Sequence, residues 1–188
     1  MATSKQQGFG CMGFSAFYAS SRNTTDEKAK EVIEHVYEKG CTLFNTATFY
    51  GPSFNEDGYG SNLRLLKKCI KDLDREKVQL MVKICMDTRA GTFNLKADAK
   101  SIEEDVNYAL EALGVDYLDI IVLCRVPTDI PITEVVLGMK AMVDAGKARH
   151  IGLSGTHIHI IHIIHTIHTI HTIHTIHTIY TYTLYIHR

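Results

Sequence analysis

Leu113-Gly114-Val115-Asp116-Tyr117-Leu118-Asp119-Ile120-Ile121-Val122-Leu123 changes its hydrophobic period in the middle. Up to Leu113, the residues Ile102, Val106, Ala109, Leu110 and Leu113 recur at the spacing of one helix face, and Gly114 is the residue type that ends such a helix in a left-handed turn. From Tyr117 to Leu123 the run is short, apolar and rich in Ile, Leu and Val, as a strand buried on both faces requires. The stretch predicts helix, stop, then a strand at 117–123.

The same unit recurs on either side. Upstream, an apolar run at Phe9–Phe14 is followed by a capping-box start, Thr24 with Glu27, and a helix carrying Ala29, Val32, Ile33, Val36 and Tyr37. Gly40 stops that helix, Cys41–Ala47 reads as the second strand, and Asn55-Glu56 opens a helix with Leu63, Leu66 and Ile70. Val78–Cys85 is the third strand. Downstream, a helix starts near Pro131 with Ile132, Val135, Val136, Met139 and Val143 inward, Gly146 ends it, and Ala148–Ser154 reads as a fifth strand. Five strand-helix repeats of about thirty residues predict an α/β fold. Two architectures fit: a doubly wound open sheet, or part of an eight-stranded barrel. Gly8-Phe9-Gly10-Cys11-Met12-Gly13 matches the dinucleotide-binding string, but it lies within the first apolar run and no helix begins at its end. Those glycines read as close-packed strand or loop positions.

Composition narrows the function. The chain has 188 residues, a net charge of −1 and 22% charged residues. With Lys and Arg scattered among Asp and Glu, no basic face is available for nucleic acid. Neither the N-terminus nor the Ile-rich end offers an uninterrupted apolar run, so no membrane segment is expected. Five widely spaced cysteines without a Cys-x-x-Cys pair read as free thiols in a reducing, cytoplasmic setting, and no metal site is expected from them. Nine of the eleven histidines lie in the last stretch, 157–188, where His-Thr-Ile repeats from His165 to Ile179. A period of three suits neither a strand nor a fixed helix face. This low-complexity tail is expected to carry no fold and to be simple-sequence DNA read as protein; a His-tract metal binder is the functional alternative.

In a parallel barrel the chemistry sits at the carboxyl ends of the strands. Those positions are Asn45 and Tyr50 after the second strand, Lys83 in the third, Cys124 and Arg125 after the fourth, and Ser154 after the fifth. A lysine beside a tyrosine favours the phenolate and brings the phenol toward neutral pH, where it gives or takes a proton. From spacing alone, a loop tyrosine and a strand-end lysine are more often a ring on a hydrophobic rim and a solvated charge.

The residues resemble the aldo/keto reductase family. Gly10-Cys11-Met12-Gly13-Phe14-Ser15-Ala16-Phe17-Tyr18 is similar to its first-strand segment; Phe44-Asn45-Thr46-Ala47 through Tyr50-Gly51 and Asn55-Glu56 to the segment after strand two. Leu113 to Asp119 resembles the approach to strand four, and Gly146-Lys147 with Ile151-Gly152-Leu153-Ser154 the fifth. The resemblance spans residues 8–154 and implies a (β/α)8 TIM-type barrel, incomplete here after five units. It also implies NADP as cofactor and a small-molecule aldehyde or ketone as substrate.

By this resemblance Tyr50 is the proton donor and Lys83 its partner. Asn45 stands where the family has Asp, and Cys124 where it has His. Met12, Gly13, Asn45 and Ser154 are the implied cofactor contacts, with Gly155 in place of the usual Asn. Two altered positions predict little activity. A degenerate, non-catalytic fragment acting as an interaction partner is the alternative, since an unclosed sheet leaves edges open to self-association.

Overall fold

A computed structural model describes residues 7–155 and the backbone of residues 176–177. The remainder of the expected tail, 157–188, lies outside the described residues.

The strands β1 (Gly8–Gly10), β2 (Leu43–Ala47), β3 (Gln79–Ile84), β6 (Leu118–Leu123), β7 (Ala148–Leu153) and β8 (Ile176–His177) form one sheet in that spatial order, every pair parallel. A separate antiparallel hairpin, β4 (Met86–Asp87) with β5 (Asn94–Leu95), projects after β3. The helices α1 (Asp26–Glu38), α2 (Ser61–Ile70), α3 (Ala99–Leu113) and α4 (Ile132–Asp144) are the crossovers, and each packs against the next.

This order decides between the two expected architectures. A doubly wound sheet reverses its strand order at a switch point and so puts helices on both faces. Here chain order and spatial order agree, so the helices form one continuous layer on one side, as in a barrel wall. The parallel sheet is an incomplete barrel.

The strand pleat divides the side chains between the two faces. Phe44, Leu80, Val82, Ile84, Ile121 and Leu123 point to the helix layer and meet Ile33, Leu63, Leu66, Ile102, Val106, Val135 and Met139 in the main core. Leu43, Met81, Ile120 and Val122 form a second small cluster on the opposite face. Asn45 and Lys83 alternate onto that same inner face.

Several boundaries differ from the sequence reading. The first strand stops at Gly10, because Met12–Phe14 turns into a 3-10 segment closed by Ser15 N–H on Met12 O. The cap of α1 is Thr25, whose Oγ1 accepts from Lys28 N at 3.3 Å; Thr24 bonds back to Ser20 O. On α1, Val32 is 38% exposed, so the buried stripe is Ala29 and Ile33. The Asn55-Glu56 start of α2 is a loop instead. Asn55 Oδ1 accepts from Gly58 N and Ser53 Oγ, which holds a turn, and the helix begins at Ser61. The β4–β5 hairpin has no periodicity to announce it at two residues a side. Its order comes from Asp87, which accepts from Arg89 and Lys96. Gly114 does end α3 at φ +68°, with Val115 N donating to Leu110 O. No helix among the described residues is long and apolar enough to cross a membrane.

Gly60 is a backbone constraint at the start of α2. It caps α2 at φ +72°, its N–H donates to Thr48 O at 2.7 Å, and any Cβ there would collide with the Tyr108 ring. Gly60→Ala is expected to cost about 1–3 kcal/mol from the left-handed backbone alone. It lowers the thermal midpoint by several degrees, whereas Val32→Ala, at an exposed position, stays within about 0.5 kcal/mol. Equal midpoints for the two variants contradict this placement of Gly60.

Candidate active site

The β2–β3 register sets Ala47 beside Lys83 and Asn45 beside Met81. Asn45 and Lys83 therefore rise from the inner face near the strand ends. Tyr50 follows β2 by three residues, its N–H on Ala47 O at 3.4 Å. The three side chains meet: Lys83 Nζ donates to Asn45 Oδ1 at 2.7 Å and to Tyr50 Oη at 3.1 Å. Asn45 Nδ2 in turn points to the Met81 sulfur at 2.8 Å, a weak acceptor that fixes which way the amide faces.

Cys124, just beyond β6, is buried in one cluster with Ala47, Phe49, Tyr50, Tyr59 and Met86, and Met12 packs against that cluster. Ser154, just after β7, is buried, and its N–H donates to Leu123 O at 3.0 Å. Gly13 is tied into the turn before α1, where its carbonyl accepts from Ser20 Oγ at 2.8 Å. Of the residues singled out from sequence, Tyr50, Lys83 and Asn45 form one hydrogen-bonded chain, and Cys124 and Met12 join the surrounding cluster.

Burial governs the electrostatics. It lowers the Lys83 ammonium below its ordinary pKa; the Cys124 sulfur opposes this and the Arg125 guanidinium adds to it. Burial likewise pushes the Tyr50 phenol well above its ordinary value, with Arg125 pulling the other way. The lysine contact expected to lower the phenol is present, but desolvation of the would-be phenolate outweighs it. Cys124 is also raised by burial, so it is a neutral thiol. The arrangement holds a protonated phenol against a lysine whose immediate partners carry no formal charge.

Asn62 is the residue that sequence reading missed. It sits on the first turn of α2, buried, and every polar group of its side chain is used. Oδ1 accepts from Thr46 Oγ1 at 2.6 Å; Nδ2 donates to Cys11 O at 2.9 Å and Ser15 Oγ at 2.6 Å. Its backbone N–H donates to Tyr50 O at 3.0 Å. Asn62 thus joins the turn after β1, the strand β2 and the Tyr50 loop. An asparagine within an otherwise amphipathic helix was the available signal, because a buried amide needs partners on several sides.

The mouth above Tyr50 is aromatic. Phe49 meets the Tyr50 ring edge-on at 4.9 Å, and Phe17 does so at 6.1 Å. Phe93, from the loop between β4 and β5, contacts Phe54 at 4.7 Å and stacks on Phe17 at 6.3 Å. Phe17 and Phe93 are both about half exposed, and Phe17 holds a strained φ of +63°. Three separate loops converge to build this rim.

Comparison with known proteins agrees with the geometry. The model of the aldo/keto reductase family matches residues 8–182. Probable aldo-keto reductase 1 of Glycine max is 34% identical over 148 residues, which is 78% of this chain and 40% of that protein. The aldo-keto reductase yakc, named with NADP(+), of Schizosaccharomyces pombe is 31% identical over 150 residues, covering 78% of this chain and 41% of the relative. The chain thus spans about two-fifths of the length of these curated relatives. Among solved structures, the holo form of the aldo-keto reductase AKR11C1 from Bacillus halodurans superposes with a TM-score of 0.66 at 25% identity, over 79% of this chain and 45% of that one. The thermostable aldo-keto reductase Tm1743, solved with the inhibitor epalrestat, shares the fold with a TM-score of 0.67 at 23% identity, over 85% of this chain and 52% of its own. Strand order, inner-face side chains and these matches together make the chain a member of the aldo/keto reductase family.

Proposed function

We propose that the chain supports slow NADPH-dependent reduction of an aldehyde or ketone, with Tyr50 as the proton donor. The observation that carries this reading is the Tyr50–Lys83–Asn45 hydrogen-bonded chain at the carboxyl ends of neighbouring parallel strands. NADPH, when bound, supplies a hydride from C4 of its nicotinamide.

The donor set suits the nicotinamide end of that cofactor. Ser154 brings a hydroxyl to the end of β7, Met12 and the Tyr50 cluster offer an apolar wall for a flat ring, and Arg125 lies exposed beside Gly155. Ser154, Met12, Gly13 and Asn45 are the residues assigned to hold it. The aromatic rim of Phe17, Phe49, Phe54 and Phe93 suits a carbonyl compound with a planar apolar substituent.

Each side chain then has a defined part. The phenol of Tyr50, kept neutral by burial, donates its proton to the carbonyl oxygen as negative charge develops there. Lys83, 3.1 Å from the phenol oxygen, stabilises the phenolate left behind. Asn45 orients Lys83 through a neutral acceptor and adds no Coulomb attraction. Cys124 stands where a longer, stronger donor would orient the substrate carbonyl, and a thiol is short and weak in that role. These two positions set the rate low. The same reading places the chain in the cytoplasm, in keeping with its five free thiols.

NADPH oxidation with an aromatic aldehyde is expected to be slow in the unmodified chain, undetectable in Tyr50→Phe, and faster by roughly tenfold or more in Cys124→His. A rate that survives Tyr50→Phe overturns the assignment. Because reduction uses both protonated Tyr50 and the Lys83 ammonium, the rate falls first as pH rises through the lowered Lys83 pKa, below that amine's ordinary value of about 10.4, and before the raised phenol titrates. Asn45→Asp places an opposite charge 2.7 Å from the ammonium and is expected to raise the Lys83 pKa. Titration of Lys83 by NMR checks this, and an unchanged or lower value contradicts it.

A further inference from the structure

We infer that Asp105, on the outer helix α3, is a positioning residue that fixes Lys83 against Tyr50 by bracing the backbone on both sides of the pair. The inference deepens the catalytic reading above and rests on it for its link to turnover.

Asp105 lies on the helix side of the sheet, and its hydrogen bonds go to neither Tyr50 nor Lys83 but to their neighbours. Its Oδ2 accepts from Cys85 N at 2.7 Å and from Thr48 Oγ1 at 3.2 Å, and its Oδ1 accepts from Tyr59 Oη. Those three donors come from the residue two beyond Lys83, the residue two before Tyr50, and the loop that leads into α2. One carboxylate therefore joins the end of β3 to the whole segment that carries the phenol.

Two further observations describe this joint, a strained backbone at Cys85 and a threefold anchor at Thr48. Cys85 has φ +73°, a conformation that non-glycine residues rarely adopt and that persists only where surrounding contacts enforce it. Its N–H is held by Asp105, while its carbonyl accepts from Lys96 N at 3.0 Å. Thr48 is bound at three points: its N–H donates to Lys83 O at 3.1 Å, its carbonyl accepts from Gly60 N, and its hydroxyl goes to Asp105. Lys83 O is thus gripped by a residue that Asp105 itself grips.

The carboxylate suits the task. Its two oxygens have lone pairs for all three donors, and among the described residues no other single side chain reaches all three segments at once. Burial raises the Asp105 carboxyl above its ordinary value on balance, and the bonds from Tyr59, Cys85 and Thr48, with the Arg89 guanidinium over the Tyr59 ring, offset only part of that rise. Without Asp105, the left-handed turn at Cys85 loses its anchor and relaxes, and the end of β3 moves with it.

The test replaces Asp105 with Leu and with Asn in the full chain. Asp105→Leu removes all acceptors, so amide exchange at Cys85 is expected to quicken by at least about tenfold, and the Lys83 pKa, read by NMR, to rise toward its ordinary value as the amine is released to solvent. Turnover of an aromatic aldehyde falls on the order of 100-fold in kcat, with KM changed by less than about threefold. Asp105→Asn keeps an acceptor for Cys85 and Thr48 and restores most of all three readouts. If Asp105→Leu does not fold, Asp105→Ser, too short to reach Cys85, replaces it with the same expectations. A folded variant with unchanged Cys85 exchange and unchanged Lys83 titration overturns the brace. If those two readouts shift while even the unmodified chain shows no turnover, the brace stands and the reductase reading fails.

Discussion

A half-buried lysine is the constraint around which the inner face is organised. Lys83 rises from the third strand into a region where burial lowers its pKa, and a charged group there persists only with hydrogen-bond partners. Its two partners are the Asn45 carbonyl oxygen and the Tyr50 phenol. Neither carries a formal charge, so the ammonium is satisfied by geometry more than by Coulomb attraction. Displacement of either partner leaves a cation in an apolar setting, which explains why so many bonds converge on the loop bearing Tyr50 and the turn after Lys83.

The fold supplies that geometry through the pleat and register of a parallel sheet. Since the strands follow one another in spatial order, their carboxyl ends gather on one rim, and alternate residues face the same side. Register alone brings β2 and β3 side chains together, but it leaves the Tyr50 loop undetermined. That loop is fixed from α2 by Asn62, whose amide side chain and backbone bind four partners, and from α3 through Thr48 and Tyr59. The helix layer thus packs the core and positions the site through two polar residues.

The barrel wall was legible in the sequence because helix and strand periods alternate clearly. The Leu113–Leu123 stretch gave both the stop at Gly114 and the buried strand that follows, within one residue of the observed boundary. Tyr50, Lys83 and Asn45 were found by their places at strand ends and by family resemblance. What escaped reading has physical reasons. Sequence puts the start of α2 early because Asn55 is a good cap residue, yet its side chain closes a turn to Gly58 instead. The hairpin β4–β5 is too short to show alternation. Asp105 lies among acidic residues on an exposed-looking helix face, and only the three-dimensional structure reveals that its oxygens bind three separate segments. The Tyr50 phenol shifts upward and not toward neutrality as the Tyr–Lys pairing suggests, since burial is a tertiary quantity that spacing does not report.

The central claim is that Tyr50 is a neutral acid held against Lys83 and ready to donate a proton. Carbon NMR of protein labelled at the tyrosine ring carbon bearing oxygen, with Tyr50 assigned by its absence in Tyr50→Phe, measures this directly. The predicted result is a Tyr50 signal that stays at the neutral phenol position through pH 10 and moves only above it. A phenolate signal at neutral pH contradicts the account.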